Sequence, residues 1–93
     1  MIRRNRIVSV ANSTGAQSQF KLQGSNKVFE VSGVFVGTVQ MEGSNDNGVT
    51  WVNIGAAQTA AGRLTDTVLW DLVRGNVTAY TSGNINVDLI EEF

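Results

Sequence analysis

The chain contains no cysteine, no histidine and no proline. Without cysteine there is no disulfide to tie a small core together, and no thiol to serve as nucleophile or soft metal ligand. Without histidine, imidazole acid–base chemistry and the usual zinc and haem sites are excluded. Only carboxylates remain as general acids or bases. The eight of them are scattered at positions that a turn or the polar face of a strand explains. Two carboxylates can hydrolyse a glycoside, but they work in a deep cleft, which a domain of 93 residues rarely encloses. The sequence therefore reads as non-enzymatic, with no cofactor and no metal. No hydrophobic run approaches the ~20 apolar residues of a membrane-spanning helix. The opening segment MIRRNRIVSV lacks the apolar stretch of a signal peptide. A net charge of −1, with few basic residues and none interleaved with aromatics, offers nothing to a nucleic acid.

What is present points to strands. Residues 1–93 are enough for one domain with a modest core of its own, so association with other chains is the natural supplement to its stability. Apolar residues recur with period two in short runs rich in Val, Thr, Ile and aromatics, and Gly, Asn, Ser and Asp separate the runs. Strands are expected over 6–10, 18–23, 27–32, 35–42, 49–54, 64–73, 76–81 and 85–90. Val28 and Glu30 should oppose Phe29 and Val31, and Ile85, Val87 and Leu89 should point inward. The Gly43–Gly48 stretch is dense in residues that tolerate a positive φ or cap their own turns, so 35–54 reads as a hairpin. The small, polar stretch 55–62 reads as a loop or a short edge strand. The run 64–73 is apolar on both faces. With no segment of helical period, the fold class is all-β: an antiparallel β-sandwich, jelly-roll or immunoglobulin-like, of about seven to nine short strands.

Charge is uneven along the chain. Arg3, Arg4 and Arg6 crowd the start, while Asp88, Glu91 and Glu92 crowd the end. Residues 1–6 read either as a solvated terminus or as a basic arm laid on an acidic neighbour, such as the acidic tail of another copy. Arg3, Arg4, Arg6, Glu91 and Glu92 are accordingly candidate assembly residues. Tyr80 alternates with Val77 and Ala79 and is expected to point outward, where tyrosine suits an interface. Trp51 follows the hairpin turn; it either covers the end of the sheet or offers a stacking surface to a sugar ring. The Asn45–Gly48 turn has alternating oxygen ligands like part of a calcium loop, but it lacks that loop's length and closing glutamate. Turn chemistry explains it, and no metal is assigned.

The segment Val39–Gly55 carries the pattern Gly-Ser-Asn-Asp-x-Gly-x-Thr-Trp (Gly43–Trp51) between two strands. It resembles a hairpin of small structural proteins of tailed bacteriophages. The stretch Val77–Gly83, followed by Ile85–Leu89, resembles the closing hairpin of the same proteins, so the resemblance covers roughly the C-terminal half of the chain. It implies a β-sandwich or jelly-roll subunit of the virion, assembled in the host cytoplasm. Such a subunit acts as a capsid decoration or cement protein that binds and stabilises the head shell, or as a tail, fibre or baseplate component. Its implied partners are the major capsid protein or other virion proteins and further copies of itself, with a trimer favoured. Related hairpins also occur in carbohydrate-binding sandwiches, so a glycan stays open as the alternative ligand.

Overall fold

The hairpin marked so clearly in the sequence is the tip of a much longer one. A computed structural model describes residues 1–92. Its nine strands are β1 (Ile2–Ala11), β2 (Gly15–Ala16), β3 (Phe20–Lys21), β4 (Asn26–Ser32), β5 (Phe35–Ser44), β6 (Val52–Gln58), β7 (Gly62–Asp66), β8 (Leu72–Gly83) and β9 (Ile85–Glu92), with no helix among the described residues. The pairings nest about the turn between β5 and β6. Next outward β4 pairs β7, then β2 and β3 pair β8, then β1 pairs β9, every pair antiparallel. Folding this ribbon over adds the pairs β4–β9 and β5–β8. Two sheets result, β1-β9-β4-β7 and β2-β8-β5-β6, with β3 continuing the edge that β2 begins on β8. A nested ribbon rolled into two sheets is jelly-roll wiring; an immunoglobulin sandwich distributes its strands differently.

Alternation along the strands builds the core between the sheets. Phe29 and Val31 of β4, with Ile85, Val87 and Leu89 of β9, face Val39 and Met41 of β5 and Val73 and Val77 of β8, all of them buried. These are the faces that period two assigns. Ile7, Val8, Leu22 and Ile54 close the sides.

Three expectations fail, each for a local reason. The basic start is not an arm. Residues 2–11 form β1, the edge strand paired with β9 from Ile2↔Glu92 to Ala11↔Ile85, and Val8 is a core residue. Tyr80 is not outward either. In β8, Thr78 and Thr81 are unmatched by β5, whose Val39, Thr38, Gly37 and Val36 pair with Val77, Ala79, Tyr80 and Ser82. The bulge at Thr78 shifts the alternation by one and turns Tyr80 to the inner face, where it packs on the core and donates its hydroxyl to the Gly83 carbonyl at 2.7 Å. Finally, the run 64–73 is not one strand. β7 ends at Asp66, the chain loops through 67–71, and β8 starts at Leu72.

The stretch 55–58 belongs to β6, which carries a bulge of its own. Gly55, Ala56 and Ala57 lie between the pairs Met41↔Ile54 and Val39↔Gln58, opposite Gln40 alone. The buried Gln40 amide fills the gap, its Nε2 donating to the carbonyls of Met41 (2.9 Å), Ile54 (3.3 Å) and Gly55 (3.3 Å). Gln40→Leu leaves these acceptors without their donor, and a loss of about 1–3 kcal/mol is expected as a lower midpoint of urea unfolding.

Candidate functional site

One end of the sandwich gathers the hairpin turn, the 67–71 loop, the start of β1 and the end of β9. Its floor is a row of buried charge. The inward parity of β9 (Ile85, Val87, Leu89) continues into Glu91, and that of β4 (Val31, Phe29) continues back to Lys27. Register then sets Arg3 beside Glu91, Glu91 beside Lys27 and Lys27 beside Asp66, so the signs alternate across all four strands of the sheet. The side chains of Glu91 and Lys27 are fully buried. Such burial is tolerated only when every polar atom is satisfied. Here Glu91 Oε1 accepts from the Arg3 guanidinium, and Oε2 accepts from the backbone N–H of Gln23 (2.7 Å) and Gly24 (3.0 Å). Lys27 Nζ donates to the Ser25 carbonyl (2.6 Å), the Val68 carbonyl (2.7 Å) and Asp66 Oδ2 (3.0 Å). Burial pushes the Glu91 carboxyl up, but the Arg3 guanidinium and the two amides outweigh it and hold the group below the ordinary glutamate value.

Above this floor stand two latched loops. In the turn, Asp46 Oδ1 accepts from the Thr50 N–H at 2.8 Å and the Ser44 hydroxyl at 2.7 Å, and Ser44 Oγ accepts from the Gly48 N–H at 3.0 Å. Asn47 and Gly48 take positive φ (62° and 87°), as the turn chemistry requires. The Asn45 amide then joins turn to loop, its Nδ2 donating to the Leu69 carbonyl and its Oδ1 accepting from the Asp71 N–H, both at 2.9 Å. Trp70 lies flat against Gly43, where a Cβ would overlap the indole, and donates Nε1–H to Asp66 Oδ2 at 3.0 Å. The loop is thereby fastened to the charge row through Asp66 and through the Val68 carbonyl on Lys27. On these braced loops Val49 is 82% exposed, Leu69 70% and Val68 52%, and Val52 at the start of β6 is 50% exposed.

The Thr50 amide and the Ser44 hydroxyl pull the Asp46 carboxyl down to about 2 from its ordinary 3.8. A depressed folded-state value means that the group stabilises the fold above the ordinary value, and that this contribution fades as pH falls through the depressed one. Asp46→Asn is therefore expected to flatten the acid limb of the stability profile between about 4 and about 2, as read by thermal melts across that range.

The other candidates stand outside the charge row. Arg4 and Arg6 join Asp88, Glu30 and Arg63 on the outer face of the β1-β9-β4-β7 sheet: Arg4 Nη1 donates to Asp88 (2.7 Å) and Glu30 (3.0 Å), Arg63 pairs with Glu30 (2.7 Å), and Arg6 pairs with Asp88. Arg4 and Arg63 lower the Glu30 carboxyl. At Asp88 the pull of Arg6 and Arg4 overcomes the opposing effect of burial. The arginines of the N-terminus thus find acids within their own chain. Glu91 is buried structure, and Glu92 is exposed beside an open groove of about 360 Å³ lined by Ile2, Val28, Thr65, Thr67 and Ile90. Trp51 donates Nε1–H to the Gly48 carbonyl (3.0 Å), and one face of its ring is covered by the Arg74 guanidinium, 4.1 Å from the ring centroid. Arg74 is held in turn by Glu42 at 2.7 Å. Most of the carboxylates are tied into such pairs, Asp71 to Lys21 among them at 3.7 Å.

Sequence reasoning passed over Lys27, Asp66, the 67–71 loop and Trp70 as parts of a site. The signal for the charge row was present: Lys27 and Glu91 share the inward parity of Phe29 and Leu89, which marks a charge on a core face. Comparison with protein-family models, with curated proteins and with solved structures finds no match to this chain.

Proposed function

We propose that the chain is a non-enzymatic structural subunit of a tailed-phage particle, a decoration or cement protein that binds the head shell through its hairpin end. The observation that carries this reading is the exposed aliphatic set Val49, Val68 and Leu69 on two loops latched to each other and to a buried charge row, with exposed Val52 at the start of β6. Scattered exposed valines need no explanation, but aliphatic side chains gathered on rigid loops mark a surface meant to be covered. Because the loops are already fixed, docking costs little ordering entropy, and many weak copies on a shell add through avidity. The Gly43–Trp51 segment, on which the resemblance to phage structural proteins rests, forms this tip. Jelly rolls recur in capsid proteins, which is analogy and not proof. A tail or baseplate position would use the same surface. The glycan alternative has less support, since Arg74 occupies one face of Trp51.

The test is the double variant Val49→Asp, Leu69→Asp. Both positions are exposed, so its melting curve should match the parent chain. Each aliphatic side chain buried at an interface contributes about 1.5 kcal/mol. Co-sedimentation with undecorated shells from the same genome should therefore weaken by well over tenfold. Parent protein that fails to bind such shells overturns the reading.

A further inference from the structure

An asparagine followed by glycine carries a chemistry of its own. The backbone nitrogen of the next residue can attack the side-chain amide and close a five-membered ring, and glycine leaves that nitrogen with no neighbouring side chain in the way. Of the nine asparagines in the sequence, Asn47 is the one with glycine after it. The residues after Asn53, Asn76, Asn84 and Asn86 are β-branched and shield the nitrogen. Asn45, two residues earlier in the same turn, is held at both ends of its amide by Leu69 and Asp71. The exposed Asn47 side chain has no hydrogen-bond partner among the described residues, and it sits in the turn between β5 and β6.

The nitrogen that would attack is restrained. The Gly48 N–H donates to Ser44 Oγ at 3.0 Å, and the buried Ser44 gives its own hydroxyl proton to Asp46 Oδ1 at 2.7 Å. The first of these bonds holds the proton that the nitrogen must lose before it can attack. Asn47 and Gly48 are fixed at φ 62° and 87°, and the Thr50 N–H closes the other side of the turn on Asp46 at 2.8 Å. Attack therefore proceeds from the fraction of molecules in which the turn has opened locally.

We propose that Asn47–Gly48 is a self-modification site, with the Ser44 hydroxyl as the latch that sets its rate. The Gly48 nitrogen loses its proton to solvent base and bonds to Asn47 Cγ. The bond from Cγ to the side-chain nitrogen breaks, and that nitrogen takes up a proton and leaves as ammonia. Water then opens the ring. Breaking the new bond leaves aspartate, whereas breaking the original peptide bond leaves isoaspartate, with the backbone rerouted through the side chain. Overall, water replaces ammonia, and nothing is oxidised or reduced. Either product adds one negative charge to a chain of net charge −1. Isoaspartate also inserts a backbone carbon between Asp46 and Gly48, which takes the Gly48 and Thr50 N–H groups out of register with Ser44 and Asp46. The inference depends on the turn alone and not on what the hairpin tip binds.

The test is intact-mass and peptide-mass analysis of the purified chain held at mildly alkaline pH, with isoaspartate counted by a protein-isoaspartate methyltransferase. The mass gain of amide-to-carboxylate exchange should appear first at Asn47, and its rate should rise with pH. Asn47→Asp, which keeps a residue tolerant of positive φ, should show no mass gain at this turn. Ser44→Ala, its fold checked by a melting curve, should react about fivefold faster, the population ratio that one ordinary hydrogen bond governs. The parent chain in unfolding urea, where no latch exists, should also react faster than the folded chain, and this comparison needs no variant. A mass gain that appears first at another asparagine, a folded parent chain as reactive as the unfolded one, or a folded Ser44→Ala chain no faster than the parent would each overturn the inference.

Discussion

Glu91→Ala is expected to lower the unfolding free energy by about 3–5 kcal/mol, the cost of breaking a buried, hydrogen-bonded charge pair. In a small domain whose whole stability is of order 5–15 kcal/mol, this leaves part of the population unfolded. The effect is large because one carboxylate satisfies three groups on two other segments. Arg3 on β1 loses its partner, and the Gln23 and Gly24 amides in the connection from β3 to β4 lose their acceptor. Lys27, beside Glu91 in register, keeps Asp66 but sits in a row no longer balanced in sign. Glu91→Gln separates shape from charge: it keeps an acceptor for the amides and gives up the attraction to Arg3, so a smaller loss is expected. The pH dependence follows from the same group. Its carboxyl is held below the ordinary value, so its contribution is present above that value and is lost as pH falls through the depressed one. Urea unfolding followed by the fluorescence of Trp51 and Trp70, near neutrality and in acid, reads both. In the Glu91→Gln chain the acid-induced loss should shrink.

The charge row also shows where a sequence can be read and where it cannot. The alternation of β4 and β9 was legible, and with it the core residues Phe29, Val31, Ile85, Val87 and Leu89. The hairpin over 35–54 was legible because turn residues and period two agree there. What escaped were places where one extra residue shifts the pattern. The bulge at Thr78 reverses the facing of Tyr80, and Thr78 has nothing in its own chemistry that marks a bulge. The arginines of β1 hid a strand for a related reason. Arg4 and Arg6 face solvent while Arg3 faces Glu91, so charge lies on both faces and alternation vanishes. Only the partner strand, some eighty residues away, gives each arginine its acid. The run 64–73 misled in the opposite direction: it carries apolar residues on both faces, yet Val68 and Leu69 are exposed and Trp70 folds back onto Gly43. That misreading concealed the surface on which the functional proposal stands.

Phe29→Ala carries the second large effect, also about 3–5 kcal/mol. Phe29 is completely buried at the centre of β4, paired with Leu89 on one side and Leu64 on the other. A jelly roll has two thin sheets and one layer of side chains between them, so no neighbour is free to move into the space. The expected result is a lower urea midpoint with little change in the slope of unfolding, since the surface exposed stays nearly the same. The control is Val28→Ala, one residue away on the outer face, where Val28 is half-buried and borders the groove. Its cost should be far smaller. Equal costs at the two positions would mean that β4 does not present alternate residues to core and solvent.

The functional proposal makes the chain a rigid assembly subunit whose hairpin end docks on a shell. The most direct test is cryo-electron microscopy of undecorated head shells from the same genome, saturated with the purified chain. The account predicts ordered density for the two-sheet sandwich on the outer surface, with the 45–51 turn and the 67–71 loop against the shell and Val49 and Leu69 buried in the contact. Bare shells, or bound copies whose hairpin tips point into solvent, would contradict it.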